Sequence, residues 1–147
     1  MPIVEKPGRA LAVKAKPLGV VIVIALALGG LVIGQEVVRQ LGVRFIFTEK
    51  EDGRLALRRG FKIAPGEKII VVEDVVTKGG RVQETIDIVR EHGGNVVGVA
   101  VIVDRSDGAA SFGVPFVSLI SLRVETFEPD KLPPDLAKVP AVKPGSK

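Results

Sequence analysis

A chain of 147 residues that is 46% apolar and 26% charged carries enough apolar surface to offset the entropy of ordering, which excludes a disordered polymer and fits one domain over 1–147. With no Cys, disulfides, thiolate zinc sites and cysteine nucleophiles are ruled out, and the single His leaves a His-based metal cage or a Ser-His-Asp triad only His92 to run through. Six Phe without Trp or Tyr provide no base-stacking platform for nucleic acid, and 21 Lys plus Arg against 17 Asp plus Glu give +4, a mild bias toward anionic partners that solubility alone also explains.

Residues 9–18, RALAVKAKPL, predict a short helix within the first 19 residues. Leu11 and Ala15 share one side, Arg9, Lys14 and Lys16 face solvent, and Pro17 and Gly19 stop it. The run VVIVIALALGGLVIG (Val20–Gly34) has an A-x-A pattern after two lysines, the outward look of a secretion signal or membrane segment. Its 15 residues fall short of the roughly 20 that span a bilayer, and a Gly pair splits it. It reads instead as a strand from Val20 to Leu28, buried on both faces, in a cytoplasmic protein with no membrane partner.

After Gly29-Gly30, Leu31, Val37, Val38 and Leu41 recur at helical spacing, and Gly42 closes that helix. VRFIFTE (Val43–Glu49) is the second strand. KEDGRLALRRGFKIAPGEK is a basic, hairpin-like excursion with turns at Asp52-Gly53 and Pro65-Gly66. KIIVVEDV is the third strand, and RVQETIDIVREHGG a helix with Val82, Ile86 and Val89 on one stripe. NVVGVAVIVDR and VPFVSLISL are the fourth and fifth strands, and 125–147 form a Pro-rich tail that packs over the surface. This alternation specifies an α/β fold, a parallel sheet with helices on both faces. Ligands in such sheets sit at the carboxyl ends of the strands, so function is sought in the loops after Leu28, Glu49, Val76 and Val103.

One of those loops carries chemistry. In VVEDVVTKGGRVQET, Thr77, Gly79 and Gly80 enter a helix, so backbone N–H groups and a hydroxyl converge at the positive end of its dipole and form an anion cradle. Glu73 and Asp74 would repel a phosphate. They suit sugar hydroxyls, or a divalent ion that itself touches phosphate oxygens. Carboxylates followed by a phosphate loop describe a ribose 5-phosphate pocket; the plain alternative is an acidic strand end and an ordinary βα turn.

VVEDVVTKGG resembles the phosphoribosyl-pyrophosphate signature of type I phosphoribosyltransferases. LGVRFIFTEKEDGRLALRRGF, VVGVAVIVDRSDGAASFGVPF and KPGSK are similar to orotate phosphoribosyltransferases in particular, from about Pro17 onward. The resemblance implies the type I sheet and a reaction that joins an orotate nitrogen to C1 of the ribose of 5-phosphoribosyl 1-pyrophosphate and expels pyrophosphate with Mg²⁺. Glu73 and Asp74 would be the catalytic pair on the ribose hydroxyls, Asp74 the metal contact, and Val75 and Val76 part of the substrate-binding stretch. Thr77, Lys78, Gly79, Gly80 and Arg81 would wrap the 5-phosphate, with Thr77 also near orotate. Arg105 would meet the orotate carboxylate. Lys50, Arg54, Arg58 and Arg59 would lie on a mobile loop that closes over pyrophosphate, across a homodimer that the apolar N-terminal half also favours.

The sequence departs from the family at three places. Lys78 and Arg81 stand where smaller residues are usual, and either strengthen anion binding or fill the phosphate space. Ala25-Leu26 replaces a Gly-Pro pair and supplies no strained turn for pyrophosphate. Beside the family the N-terminus reads as short, which would leave the base pocket open. Two further readings follow from these departures: a noncatalytic module that binds phosphoribosyl pyrophosphate or a nucleotide, and a scaffold that keeps only the fold.

Overall fold

A computed structural model describes residues 2–125 and 127–142 of the chain. In order, the elements are α1 (Pro2–Ala15), β1 (Ile22–Leu26), α2 (Gly29–Leu41), β2 (Arg44–Glu51), β3 (Arg54–Leu57), β4 (Lys68–Val76), α3 (Gly80–Glu91), β5 (Asn95–Asp104) and β6 (Phe116–Ser121). They build one six-stranded sheet in the order β3-β2-β1-β4-β5-β6. Every pairing is parallel except that of β3 with β2.

The uniformly apolar β1 is buried along its whole length because both of its faces are covered. Ile22, Ile24 and Leu26 join Ile69 and Val71 of β4 and Val82, Ile86 and Val89 of α3 in one apolar cluster. Val23 joins Ile70 and Val72 of β4, Leu11, Ala12 and Ala15 of α1, and Ile33 and Val37 of α2 in the other. The period of two along each strand thus sends alternate side chains into two separate cores. The expected parallel sheet with helices on both faces is present, with α1 and α2 on one side and α3 on the other.

Three details differ from the expectations. The first helix begins at Pro2, well before Arg9, and runs through Pro7 and Gly8. Those residues read as breakers, yet Gly8 is buried against the Glu36 side chain of α2, where a Cβ would collide with it. Packing of one helix on another overrides local propensity there. Second, only the first part of the expected hairpin-like excursion is a hairpin, β3 paired back on β2, and residues 58–67 carry no helix or strand. Asp52 (φ 48°) and Gly53 (φ 85°) form the hairpin's two-residue turn, the left-handed pair that matches strand twist. Third, residues 122–125 and 127–142 carry no helix or strand and are nearly all exposed, so the tail covers little of the surface. The KPGSK stretch lies outside the described residues. Among those residues, no helix is long and apolar enough to cross a membrane.

Candidate active site

β1 and β4 are neighbours, but the chain leaves β1 for α2 on one face and β4 for α3 on the other. A crevice therefore opens between their carboxyl ends, the switch point of the sheet. Its volume is about 800 Å³. One wall is Leu26, Ala27 and Gly29, the floor is Glu73 to Val82, and Lys50 and Leu55 of the hairpin close the far side. All of the residues from Glu73 to Arg81 singled out in the sequence line this one space.

β1 ends at Leu26, two residues short of the expected Leu28. Ala25 and Leu26 stay inside the strand, both buried, and the chain turns two residues later at Ala27–Leu28 through a cis peptide bond. Ala27 N donates to Thr48 O at 2.8 Å. Gly29 and Gly30 then start α2 hard against the acids. A Cβ on Gly29 would lie 2.7 Å from Asp74 Oδ2, and one on Gly30 would lie 3.0 Å from both Glu73 Oε1 and Val72 O. Only glycine lets the positive end of α2 approach two carboxyl groups this closely.

The two acids are not equivalent. Glu73 is only 8% exposed, and burial, followed by its hydrogen bond and charge repulsion with the Asp74 side chain, pushes its carboxyl up to about 8. The Asp74 N–H, which donates to Glu73 Oε1 at 2.9 Å, pulls the other way. Asp74 is half-buried and accepts Val75 N–H on Oδ1 at 2.7 Å. At neutral pH the site thus holds Glu73 in its protonated form. Because the folded value is raised, the proton's contribution to stability is complete below the ordinary carboxyl range near 4.5 and is lost as pH rises through about 8. Glu73→Gln is expected to flatten that decline, so the variant gains on the native chain between about pH 5 and about pH 8.5 in urea unfolding. Parallel stability curves for the two proteins would contradict the assignment.

Beyond Val76 the loop stands open. Thr77, Lys78 and Gly80 are exposed, and Gly79 (φ 78°) caps α3 with no side chain bonded to the first-turn N–H groups and no acid in that turn. Those donors are available to an anion. Lys78 makes no hydrogen bond or ion pair among the described residues, so the loop is not capped by its own lysine. Arg81 does not fill it either. Its guanidinium is drawn sideways to Glu84 Oε2 (2.7 Å) and Gly53 O (3.4 Å). Beneath Gly79 lies Phe112, only 5% exposed and edge-on to Phe116 at 5.2 Å. Sequence reasoning missed this support; its only signal was a lone aromatic in the polar stretch DGAASFG.

Arg105 is held by its backbone, N to Val76 O at 2.8 Å. It lines a smaller cleft of about 360 Å³ with Ser106 and Ala110, on the other side of Thr77 and Lys78, which border both spaces. Of the four excursion cations expected to face pyrophosphate, only Lys50 lines the crevice. Arg59 forms a two-point pair with Glu49 (2.8 and 2.9 Å), and Arg58 lies 3.3 Å from Glu51. Neighbouring acids on β2 thus neutralise half of the expected pyrophosphate-facing charge. No three His, Cys, Asp or Glu side chains converge on a metal-sized space among the described residues. Asp74 alone on an open wall suits a hard ion that takes most of its oxygens from substrate and water, as Mg²⁺ does.

Open strand ends, an anion loop and a paired acid floor define a class that the sequence comparisons identify. Residues 11–112 match the phosphoribosyl transferase domain. The chain is 51% identical over 140 residues to the orotate phosphoribosyltransferase of Caldanaerobacter subterraneus subsp. tengcongensis, covering 95% of this chain and 74% of the relative. It is 50% identical over 143 residues to that of Desulforamulus reducens, covering 97% and 75%. The chain belongs to the orotate phosphoribosyltransferase family of transferase enzymes. Among solved structures, it is similar to Mycobacterium tuberculosis H37Rv orotate phosphoribosyltransferase in complex with inorganic phosphate (TM-score 0.67, 26% identity, 81% of this chain and 70% of that one). Adenine phosphoribosyltransferase from Thermoanaerobacter pseudethanolicus shares the fold (TM-score 0.72, 17% identity, 81% and 80%).

Proposed function

We propose that this chain, acting as a single domain, transfers the phosphoribosyl group of 5-phosphoribosyl 1-pyrophosphate to orotate, giving orotidine 5′-phosphate and pyrophosphate. The observation that carries this reading is the open Thr77–Gly80 loop standing directly beyond Glu73 and Asp74 in one crevice. A sugar phosphate seated with its phosphate on the α3 N-terminus brings its ring hydroxyls over the acids.

Each residue then has a physical task. The N–H groups of Gly79, Gly80 and Arg81 and the Thr77 hydroxyl bind the 5-phosphate. Asp74 accepts from a ribose hydroxyl and stabilises positive charge that develops on the sugar as the bond from C1 to the pyrophosphate oxygen stretches. Protonated Glu73 donates to or accepts from the neighbouring hydroxyl. Its neutrality spares a site that must hold a phosphate and a pyrophosphate from a second negative charge. Val75 and Val76 set the floor height. Lys50 faces the departing pyrophosphate from the hairpin. Arg105 pairs with the orotate carboxylate from the adjoining cleft, and Lys78, between the two spaces, adds positive charge beside both. Mg²⁺, held by Asp74 and substrate oxygens, would neutralise the leaving group. We also take the protein to be cytoplasmic and a homodimer, in line with the family.

Turnover of orotate with 5-phosphoribosyl 1-pyrophosphate, with and without Mg²⁺, tests this. Orotidine 5′-phosphate and pyrophosphate in equal amounts, formed only with the metal, are the expected products. Tight binding of the pyrophosphate donor with no product would instead make the chain a noncatalytic binding module.

A further inference from the structure

The phosphate loop's helix and the hairpin are joined through one side chain, Glu84. Glu84, in the first turns of α3, divides its carboxylate between two partners. Oε1 accepts Leu55 N at 2.7 Å and Oε2 takes Arg81 Nη1 at 2.7 Å. The same Arg81 guanidinium reaches Gly53 O at 3.4 Å through both Nη1 and Nη2. A closed ring therefore runs from the phosphate-loop end of α3 to the hairpin turn and back. An exposed i,i+3 ion pair by itself adds little to a helix, and nothing in helix stability calls for the bond to Leu55. What the ring adds is position.

That position has a target. β3 is an edge strand, and because Leu55 N–H points to Glu84, it does not pair with β2. Lys50 and Leu55, opposite each other in the register, are therefore a non-hydrogen-bonded pair, the closer of the two kinds, with side chains on one face. Leu55 is anchored in the core beneath α3, and both residues line the crevice. Fixing Leu55 fixes where Lys50 begins.

We propose that Glu84 is a positioning residue that, together with Arg81, straps the hairpin to α3 and so sets Lys50 over the pyrophosphate end of the crevice. This rests on the function proposed above for the crevice. The Leu55 N–H, and after it Arg81, hold the Glu84 carboxyl below the ordinary carboxylate range, so the strap is ionised throughout the neutral range.

The test uses the full chain, with calorimetric affinities for 5-phosphoribosyl 1-pyrophosphate and for ribose 5-phosphate, which lacks the pyrophosphate. Glu84→Ala is expected to weaken the first about tenfold and the second less than about twofold, and Glu84→Gln, which keeps an oxygen for Leu55 N, to recover most of the loss. In a Lys50→Ala background, Glu84→Ala is expected to add less than about a twofold effect, because Glu84 acts through Lys50. Equal losses for both ligands, or an undiminished loss without Lys50, would overturn the proposal. Hydrogen exchange on the native chain guards against a variant that fails to fold. The Leu55 amide is expected to be protected well beyond an open edge-strand amide, and fast exchange would remove the strap whatever the variants do. None of these readouts needs turnover, so an inactive chain would count against the enzymatic reading and leave the strap standing or falling on its own.

Discussion

Asp74→Asn is expected to lower kcat/KM for 5-phosphoribosyl 1-pyrophosphate by about 10²–10³-fold while leaving the fold intact. The substitution keeps the shape of the side chain and the Oδ1 acceptor for Val75 N–H, 2.7 Å away. It removes the charge. If Asp74 only shaped the β4 terminus, an isosteric amide would serve as well. If it stabilises positive charge on the ribose and contacts the metal, the amide fails at both, and the loss is larger in kcat than in binding. Steady-state kinetics alongside a thermal melt separate these cases. The neighbouring Glu73→Gln is expected to do far less damage, because burial first, and then the Asp74 side chain, already favour the neutral acid at that position.

Gly79→Ala is expected to destabilise the chain by about 2 kcal/mol or more and to weaken 5-phosphoribosyl 1-pyrophosphate more than tenfold. Two costs add here. A side chain at φ 78° is strained whatever surrounds it, and the new Cβ would lie 2.9 Å from the Phe112 ring, which is packed against Phe116 and has no room to yield. The loop must shift, and its N–H groups then no longer converge. Gly80→Ala is the control, because a Cβ there meets nothing within 4 Å. It is expected to leave stability within about 0.5 kcal/mol. Urea unfolding of the pair measures the difference, and equal midpoints would contradict the packing argument.

Much of the fold was legible because it rests on periodicity. The apolar run around Ile22–Leu26 was too short for a membrane span and too uniformly apolar for a half-exposed strand, and Val82, Ile86 and Val89 formed an inward helical stripe. The Asp52-Gly53 turn was legible from local chemistry. The start of α1 was not, since Pro7 and Gly8 obey a tertiary constraint, close approach to Glu36, that no local window contains. At the site, the order of acids, Thr and glycines within one segment marked the crevice floor. The sequence reading could not say that Glu49 and Glu51 engage Arg58 and Arg59, that Arg81 turns away to Glu84, or that Phe112 supports Gly79. Each of those depends on partners from other segments, or on a direction that composition does not encode.

The central claim is that one anion settles on the amides at the start of α3, with its sugar on the acids of β4. Titrating the ¹⁵N-labelled chain with ribose 5-phosphate and following backbone amide resonances tests it without any requirement for turnover. The largest shifts are expected at Thr77 to Val82, with smaller ones at Asp74 and Val75 and none on α1. Saturable binding whose shifts fall elsewhere, or a loop whose amides stay still at saturation, would contradict the account.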